Sequence, residues 1–290
     1  MAKRGVAFGA AAYVLWGLFP LYWPLLKPAG AVEILAHRII WSLVAVGVVL
    51  AVRRSRVRLN ARQAVLLGLA AVVISLNWGT YIYAVNSGQT IESALGYFIN
   101  PLISVVFGVV IFRERLRAWQ WCAVGVGALA VLVLTVDYGR PPWIALVLAF
   151  AFAIYGLLKK FADMPSAEGL AVETAVLFLP TLVFVLVLEG RGDAAFGHHG
   201  VWHAVLLAGA GVVTAVPLLL FNAAATRLPL TVIGMLQYLA PVLQFVIGVG
   251  VQHEEMPPSR WVGFLLVWGA LVMLTWDGLA ARRETAPETA

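Results

Sequence analysis

The chain has 290 residues, 62% of them hydrophobic and only 12% charged, with a formal net charge of +6. Against the roughly 25% charged residues of a soluble globular domain, that leaves too little polar surface to cover a water-soluble particle of this size. The positive excess collects in short loops, where it reads as a topology signal and not as a nucleic-acid surface, and the single cysteine, Cys122, excludes an intrachain disulfide.

Apolar runs recur along the whole length, and a helix of ~20 such residues crosses a hydrocarbon core of ~30 Å. Ten spans are predicted, at 5–24, 32–52, 63–85, 92–112, 118–136, 142–159, 168–188, 201–222, 229–250 and 260–279. The expected fold class is an all-α polytopic membrane protein. No small-residue cleavage site follows Lys3 and Arg4, so no removable leader is expected.

Charges in alternate loops set the expected orientation. One set of loops holds Lys3, Arg4, Arg53, Arg54, Arg56, Arg58, Arg62, Arg113, Arg115, Arg117, Lys159, Lys160, Arg227, Arg282 and Arg283. The other holds Lys27, Arg140, Arg191 and Arg260. Both termini are therefore expected in the cytoplasm of a multi-pass protein of the cell (inner) membrane.

In chain order, the first span brings Gly5 and Gly9, small residues that let helices approach; Gly125, Gly127 and Gly263 are read the same way. The second span carries Glu33, His37, Arg38 and Trp41. Glu33 and His37 lie one turn apart. Arg38 sits ~9 Å into the span, either snorkelling to the headgroups or serving as a fixed charge for a substrate or gate.

The most polar and aromatic stretch runs from Asn77 to Pro101. In the third span Asn77 and Tyr81 share a face beside Trp78. Glu92 starts the fourth span, where a carboxylate suits a helix N-terminus. Tyr97 and Asn100 lead to Pro101, which frees the Tyr97 carbonyl and marks a kink. Trp119, Trp121, Trp143 and Trp261 suit headgroup anchoring.

Glu173, in the seventh span, is a candidate gate or proton-coupling residue, with capping of that span as the plainer reading. Gln237, Tyr238 and Gln244 flank a second kink at Pro241 in the ninth span. Each of these polar residues serves equally as interhelical glue.

An offset of 140 residues relates the two halves: Pro101, Gly108, Glu114, Trp121, Thr135 and Asp137 recur as Pro241, Gly248, Glu254, Trp261, Thr275 and Asp277, and Glu33 recurs as Glu173. Residues 5–137 and 141–280 are read as repeats of five spans, with 281–290 as a cytoplasmic tail. An odd number of spans inverts the second repeat. Inverted repeats place a substrate site near the midplane and let access alternate.

Enzyme motifs are missing: there is no HExxH, no phosphate-cradling loop with Lys-Ser/Thr, no GxSxG and no CxxC. The chain is not expected to be an enzyme, and no cofactor is expected. His199 and His203, four apart, are too few ligands for a metal site and read as an interfacial cluster.

EILAHRIIWS from Glu33, NWGTYIYAVNSG from Asn77, LGYFINPL from Leu95, FAIYGLLKK from Phe152 and AAATRLPLTVIGMLQYLAP from Ala223 resemble the RarD proteins. These belong to the EamA-type permeases of the drug/metabolite transporter superfamily. The resemblance covers nearly the whole chain; Ser93-Ala94 and His253 depart from it. It implies ten helices in two inverted EamA repeats, a central cavity lined by the first four helices of each, and export or exchange of small organic solutes.

The expected function is a secondary active transporter of amino-acid-like metabolites or drugs by alternating access, its partners a small-molecule substrate, the bilayer, and protons or another coupling ion. The alternatives are a non-transporting membrane sensor or assembly factor, or a membrane enzyme.

Overall fold

The computed structural model describes residues 2–113 and 115–285; Glu114 of the repeat and the end of the expected tail lie outside the described residues. Among the described residues there are helices and turns and no strand. The helices are α1 (Ala2–Gly17), α2 (Phe19–Tyr22), α3 (Ala31–Arg53), α4 (Ala61–Asn86), α5 (Thr90–Phe112), α6 (Ala118–Tyr138), α7 (Trp143–Ala162), α8 (Ser166–Gly190), α9 (Val201–Ala225), α10 (Leu230–Leu236), α11 (Leu239–Gly250) and α12 (Pro258–Thr285). A 3-10 turn, Trp23–Leu26, follows α2. Nine segments are long and apolar enough to cross a bilayer, ten when Lys3–Gly17 and Phe19–Leu26, bent by 40°, count as one span.

The prolines account for the broken spans. Pro20 and Pro24 leave the carbonyls of Trp16 and Pro20 without their helical donors. Within a membrane such groups need a partner from the protein. Here Gln244 Nε2 reaches the Trp16 carbonyl at 3.3 Å and Gln252 Nε2 the Pro20 carbonyl at 3.1 Å. Pro241 likewise cannot donate to the Gln237 carbonyl, and the chain breaks there, at Gln237–Tyr238, between α10 and α11. Its repeat mate Pro101 leaves α5 helical from Thr90 to Phe112.

Packing follows a pseudo-two-fold rule. The fifth spans α6 and α12 pair with each other, as do the second spans α3 and α8 and the fourth spans α5 and α11. The most extensive unlike pairs are matched by their mates: α1 against α9 by α4 against α7, α1 against α11 by α5 against α7, and α3 against α9 by α4 against α8. Equivalent helices run antiparallel, since Arg260 at the start of α12 meets Asp137 at the end of α6, and Arg117 at the start of α6 meets Asp277 late in α12. The fold is two inverted five-span repeats, interleaved so that most helices pack against the other half.

Small residues set the closest crossings. A Cβ on Gly211 would lie 2.2 Å from the backbone of Trp41, which presses α9 onto α3, and one on Gly263 would lie 2.4 Å from Leu134. Gly5, Gly9 and Gly127 also face side chains of neighbouring helices, whereas Gly125 faces open space and brings no helix close.

Candidate substrate chamber

Arg38 lies on the buried face of α3, 3% exposed, and is enclosed by aromatic rings. Its guanidinium carbon is 3.9 Å from the Trp78 ring centroid, 5.2 Å from Trp23 and 5.7 Å from Phe19. Nε donates to Thr214 Oγ1 at 2.9 Å, and Thr214 donates in turn to the Ala210 carbonyl at 2.8 Å. Among the described residues no carboxylate pairs with Arg38, and its Nη1 is buried without a partner. The headgroup-anchor alternative for Arg38 does not match this placement: the side chain points into the protein.

Asn77, Trp78, Tyr81 and Tyr97 gather on the same side. Tyr97 Oη donates to Asn77 Oδ1 at 3.2 Å, Asn77 Nδ2 donates to the Leu148 carbonyl at 3.0 Å, and the rings of Tyr81 and Tyr97 meet edge to face at 5.7 Å. The Tyr81 hydroxyl is buried and unpartnered, as are Trp23 Nε1, Trp41 Nε1 and Ser42 Oγ. These free polar groups can all donate, the two hydroxyls accepting as well, around one positive charge.

The two repeat-related glutamates sit at opposite ends. Val46, late in α3, packs with Ala167 and Leu170 at the start of α8, so α3 and α8 are antiparallel and their first turns lie apart. Glu33, 4% exposed, accepts from the backbone N–H groups of Ala195 (2.7 Å) and Phe196 (3.2 Å), holding the α8–α9 loop. His37 stacks on Phe196 at 4.6 Å, and Trp41 lies 6.4 Å from that ring. At the other end Glu173, 1% exposed, pairs with Lys159 at 2.7 Å and accepts from the Tyr155 hydroxyl at 3.2 Å. Each end thus holds one buried carboxylate, one engaged by backbone donors and one by a cation.

The remaining sequence candidates are engaged elsewhere. Asn100 donates to the Ala149 carbonyl at 3.4 Å, Gln244 is committed to Trp16, and Gln237 and Tyr238 form the break, with Tyr238 packed on the α6–α12 core. Glu92 does not cap its own helix. It accepts from the Ile144 N–H at 3.0 Å and from Arg140 at 2.8 Å, while the start of α5 is capped by Glu254, through the N–H groups of Thr90 (2.6 Å) and Ile91 (2.9 Å). Thr214, Trp23, Phe19, Lys159 and Tyr155 escaped the sequence reading. A lone hydroxyl in the apolar run of α9, the FPLYWP run of the first span, and Tyr155 and Lys159 one turn apart are the signals that could have found them.

A family model described as the EamA-like transporter family matches residues 3–136 and again 141–276. A protein of Streptomyces exfoliatus named Protein RarD is 58% identical over 98% of this chain and 92% of its own length. The uncharacterized transporter YojE of Bacillus subtilis is 42% identical over 98% of this chain and 97% of its own. Protein RarD of Escherichia coli is 37% identical over 98% of both chains. A solved crystal structure superposes with a TM-score of 0.61 at 18% identity, covering 95% of this chain and 98% of that one, a likeness of fold alone.

Proposed function

Since this chain belongs to the EamA-like transporter family, within the drug/metabolite transporter superfamily, we propose that it is a secondary active permease, moving small organic solutes, amino-acid-like metabolites or drugs, by alternating access through the chamber around Arg38. The chain is a multi-pass membrane transporter of this family, with a small-molecule substrate. Relatives in Bacillus subtilis and Pseudomonas aeruginosa carry transporter names.

The observation that carries the finer reading is the mirrored packing. Two inverted repeats interleave around a buried polar zone, and each end holds one member of a repeat-related carboxylate pair, Glu33 and Glu173. Inverted repeats of near-equal packing have two equivalent arrangements, open to one side or to the other. Releasing Glu33 from the 195–196 backbone opens one end, and releasing Glu173 from Lys159 opens the other. With the positive-rich loops inside, Glu33 stands on the outer side and Glu173 on the cytoplasmic side, both termini being cytoplasmic. Protons are the coupling ion that Glu173 would carry, as a buried carboxylate whose partner is a titratable amine.

Counterflow in proteoliposomes, screened with radiolabelled metabolites and drugs, tests this. Saturable exchange of at least one solute is expected. Folded protein that exchanges none would instead support a membrane sensor or an assembly factor.

A further inference from the structure

A guanidinium keeps its charge at any physiological pH, so an Arg buried in an apolar setting without a counter-charge is costly by several kcal/mol, and such residues mark ligand or ion sites. Arg38 meets this description. Thr214 satisfies Nε, Nη1 is left without a partner, and no carboxylate is paired with it among the described residues. The neighbouring unpartnered groups are Trp23 Nε1–H and the hydroxyls of Ser42 and Tyr81, all able to donate. Groups that can all donate, beside an unpaired positive charge, favour an acceptor-rich, negative ligand, and the Trp23, Trp78 and Phe19 rings ask for an apolar body attached to it.

A crevice lies further along the same face of α3. Arg38, Ser42, Val46 and Val49 follow one another along one face of α3. Val46 and Val49 line a crevice closed by Ser166 and Leu170 of α8 and Leu218 and Asn222 of α9. Ser42, fully buried, lies between the crevice and Arg38 on α3. Trp78, 3.9 Å from the guanidinium, also packs against the Val46–Ala167–Leu170 cluster that forms the crevice wall.

We propose that Arg38 is the binding charge for the carboxylate of an organic anion with an aromatic or otherwise apolar body, admitted past Trp78 from the crevice between α3, α8 and α9. This rests on the permease reading for its physiological meaning, and deepens it by naming the substrate class. Arg38 holds the head group by two parallel N–H donors once Nη1 is engaged, and Trp23 Nε1–H and Ser42 add neutral donors. The ring of Trp78 must swing to admit a body of this size, which makes that residue the inner lid of the chamber.

The test uses the purified full chain in a neutral detergent, with thermal shift and equilibrium binding as readouts. The probes are benzoate, phenylacetate, indole-3-acetate and hexanoate, each beside its own amide, with sodium chloride and sodium sulfate as inorganic controls. At least one acid is expected to stabilise the protein and to bind at least about tenfold more tightly than its amide, since a charge-assisted bidentate contact replaces a neutral one. Arg38→Gln should abolish the preference, a loss of about 100-fold for the acid and little change for the amide. Should Arg38→Gln not fold, Trp23→Phe keeps an aromatic ring, removes the Nε1–H, and should weaken the acid about threefold and the neutral amide less.

Amides binding as well as acids, no acid binding at all, or chloride or sulfate alone filling the site would overturn the proposal. Counterflow separates the two readings. Exchange of neutral or cationic solutes but of no carboxylate keeps the permease and sinks the anion site. Arg38-dependent carboxylate binding with no counterflow of any solute keeps the anion site and sinks the permease.

Discussion

Asp137 accepts a 2.9 Å hydrogen bond from the guanidinium of Arg260, tying the last turn of α6 to the first turn of α12, and Ser259 donates to the same carboxylate. The repeat copies the arrangement at the other end of the helix pair, where Asp277 faces Arg117 at 3.8 Å. The two clamps are unequal. Asp137 is 4% exposed beside an Arg260 that is 19% exposed, whereas Arg117 is 48% exposed.

That inequality orders two variants. Asp137→Asn is expected to destabilise the protein by about 1–3 kcal/mol, because a buried charge-assisted pair is lost with Arg260 left half-buried. Arg117→Ala should cost no more than about 1 kcal/mol, the range for an exposed pair. Thermal unfolding in detergent, run on both proteins at one ionic strength, checks the order. Equal losses would mean that the two ends are held alike.

Glu173 and Lys159 set the second expectation. Glu173→Gln keeps a hydrogen-bonding side chain of the same size but removes the charge that holds Lys159 at 2.7 Å. Transport per folded protein should fall at least about tenfold, with a loss of stability of about 1–3 kcal/mol, as for Asp137→Asn, because Lys159 is left without its counter-charge. Full transport in the variant would remove Glu173 from gating. Gly169→Ala probes the same pair without replacing either partner, as the added Cβ would collide with the Lys159 ammonium. Lysine is a flexible side chain, so the ammonium should shift and transport should drop in parallel.

Glu254 caps a helix of the other repeat. Its two oxygens take the N–H groups of Thr90 and Ile91, donors that α5 cannot satisfy for itself. Glu254→Ala is expected to cost about 1–2 kcal/mol, in line with the loss of an N-terminal cap. Amide hydrogen exchange should rise in the first turn of α5 and not in α11, which the same carboxylate leaves alone.

Gly211 is the position where α9 touches the backbone of α3 at Trp41. Gly211→Val must push the helices apart, at a cost of more than about 2 kcal/mol if the fold holds. Because Thr214 is one turn further along α9, the displacement also draws its hydroxyl from Arg38 Nε. Transport should therefore fall even in preparations that remain folded by size-exclusion chromatography. Wild-type transport in the folded fraction would show that the Arg38–Thr214 bond is dispensable.

Much of this protein was legible in the residues themselves. Apolar run length fixes which segments enter a bilayer, because the cost of transfer is local and additive along a helix. The 140-residue offset identified the inverted repeat, and its recurring pairs Asp137/Asp277 and Glu33/Glu173 occupy equivalent places in the fold. Arg38, the one Lys or Arg away from the ends of the predicted spans, was conspicuous for the same local reason, as were Asn77, Trp78, Tyr81 and Tyr97.

What surrounds those residues was decided only by tertiary structure. Thr214 lies 176 residues from Arg38, Glu254 lies 164 from Thr90, and Gln244 lies 228 from the carbonyl it satisfies. No periodicity encodes such partners, because in a membrane every helix already has its own backbone bonds. The rotation of one helix against the next is settled by small-residue packing and by the few polar groups that must find each other across it. Glu92 illustrates the limit. Its position at a helix start was plain from the sequence, yet the helix whose N–H it satisfies is α7, brought alongside only when the two repeats interleave.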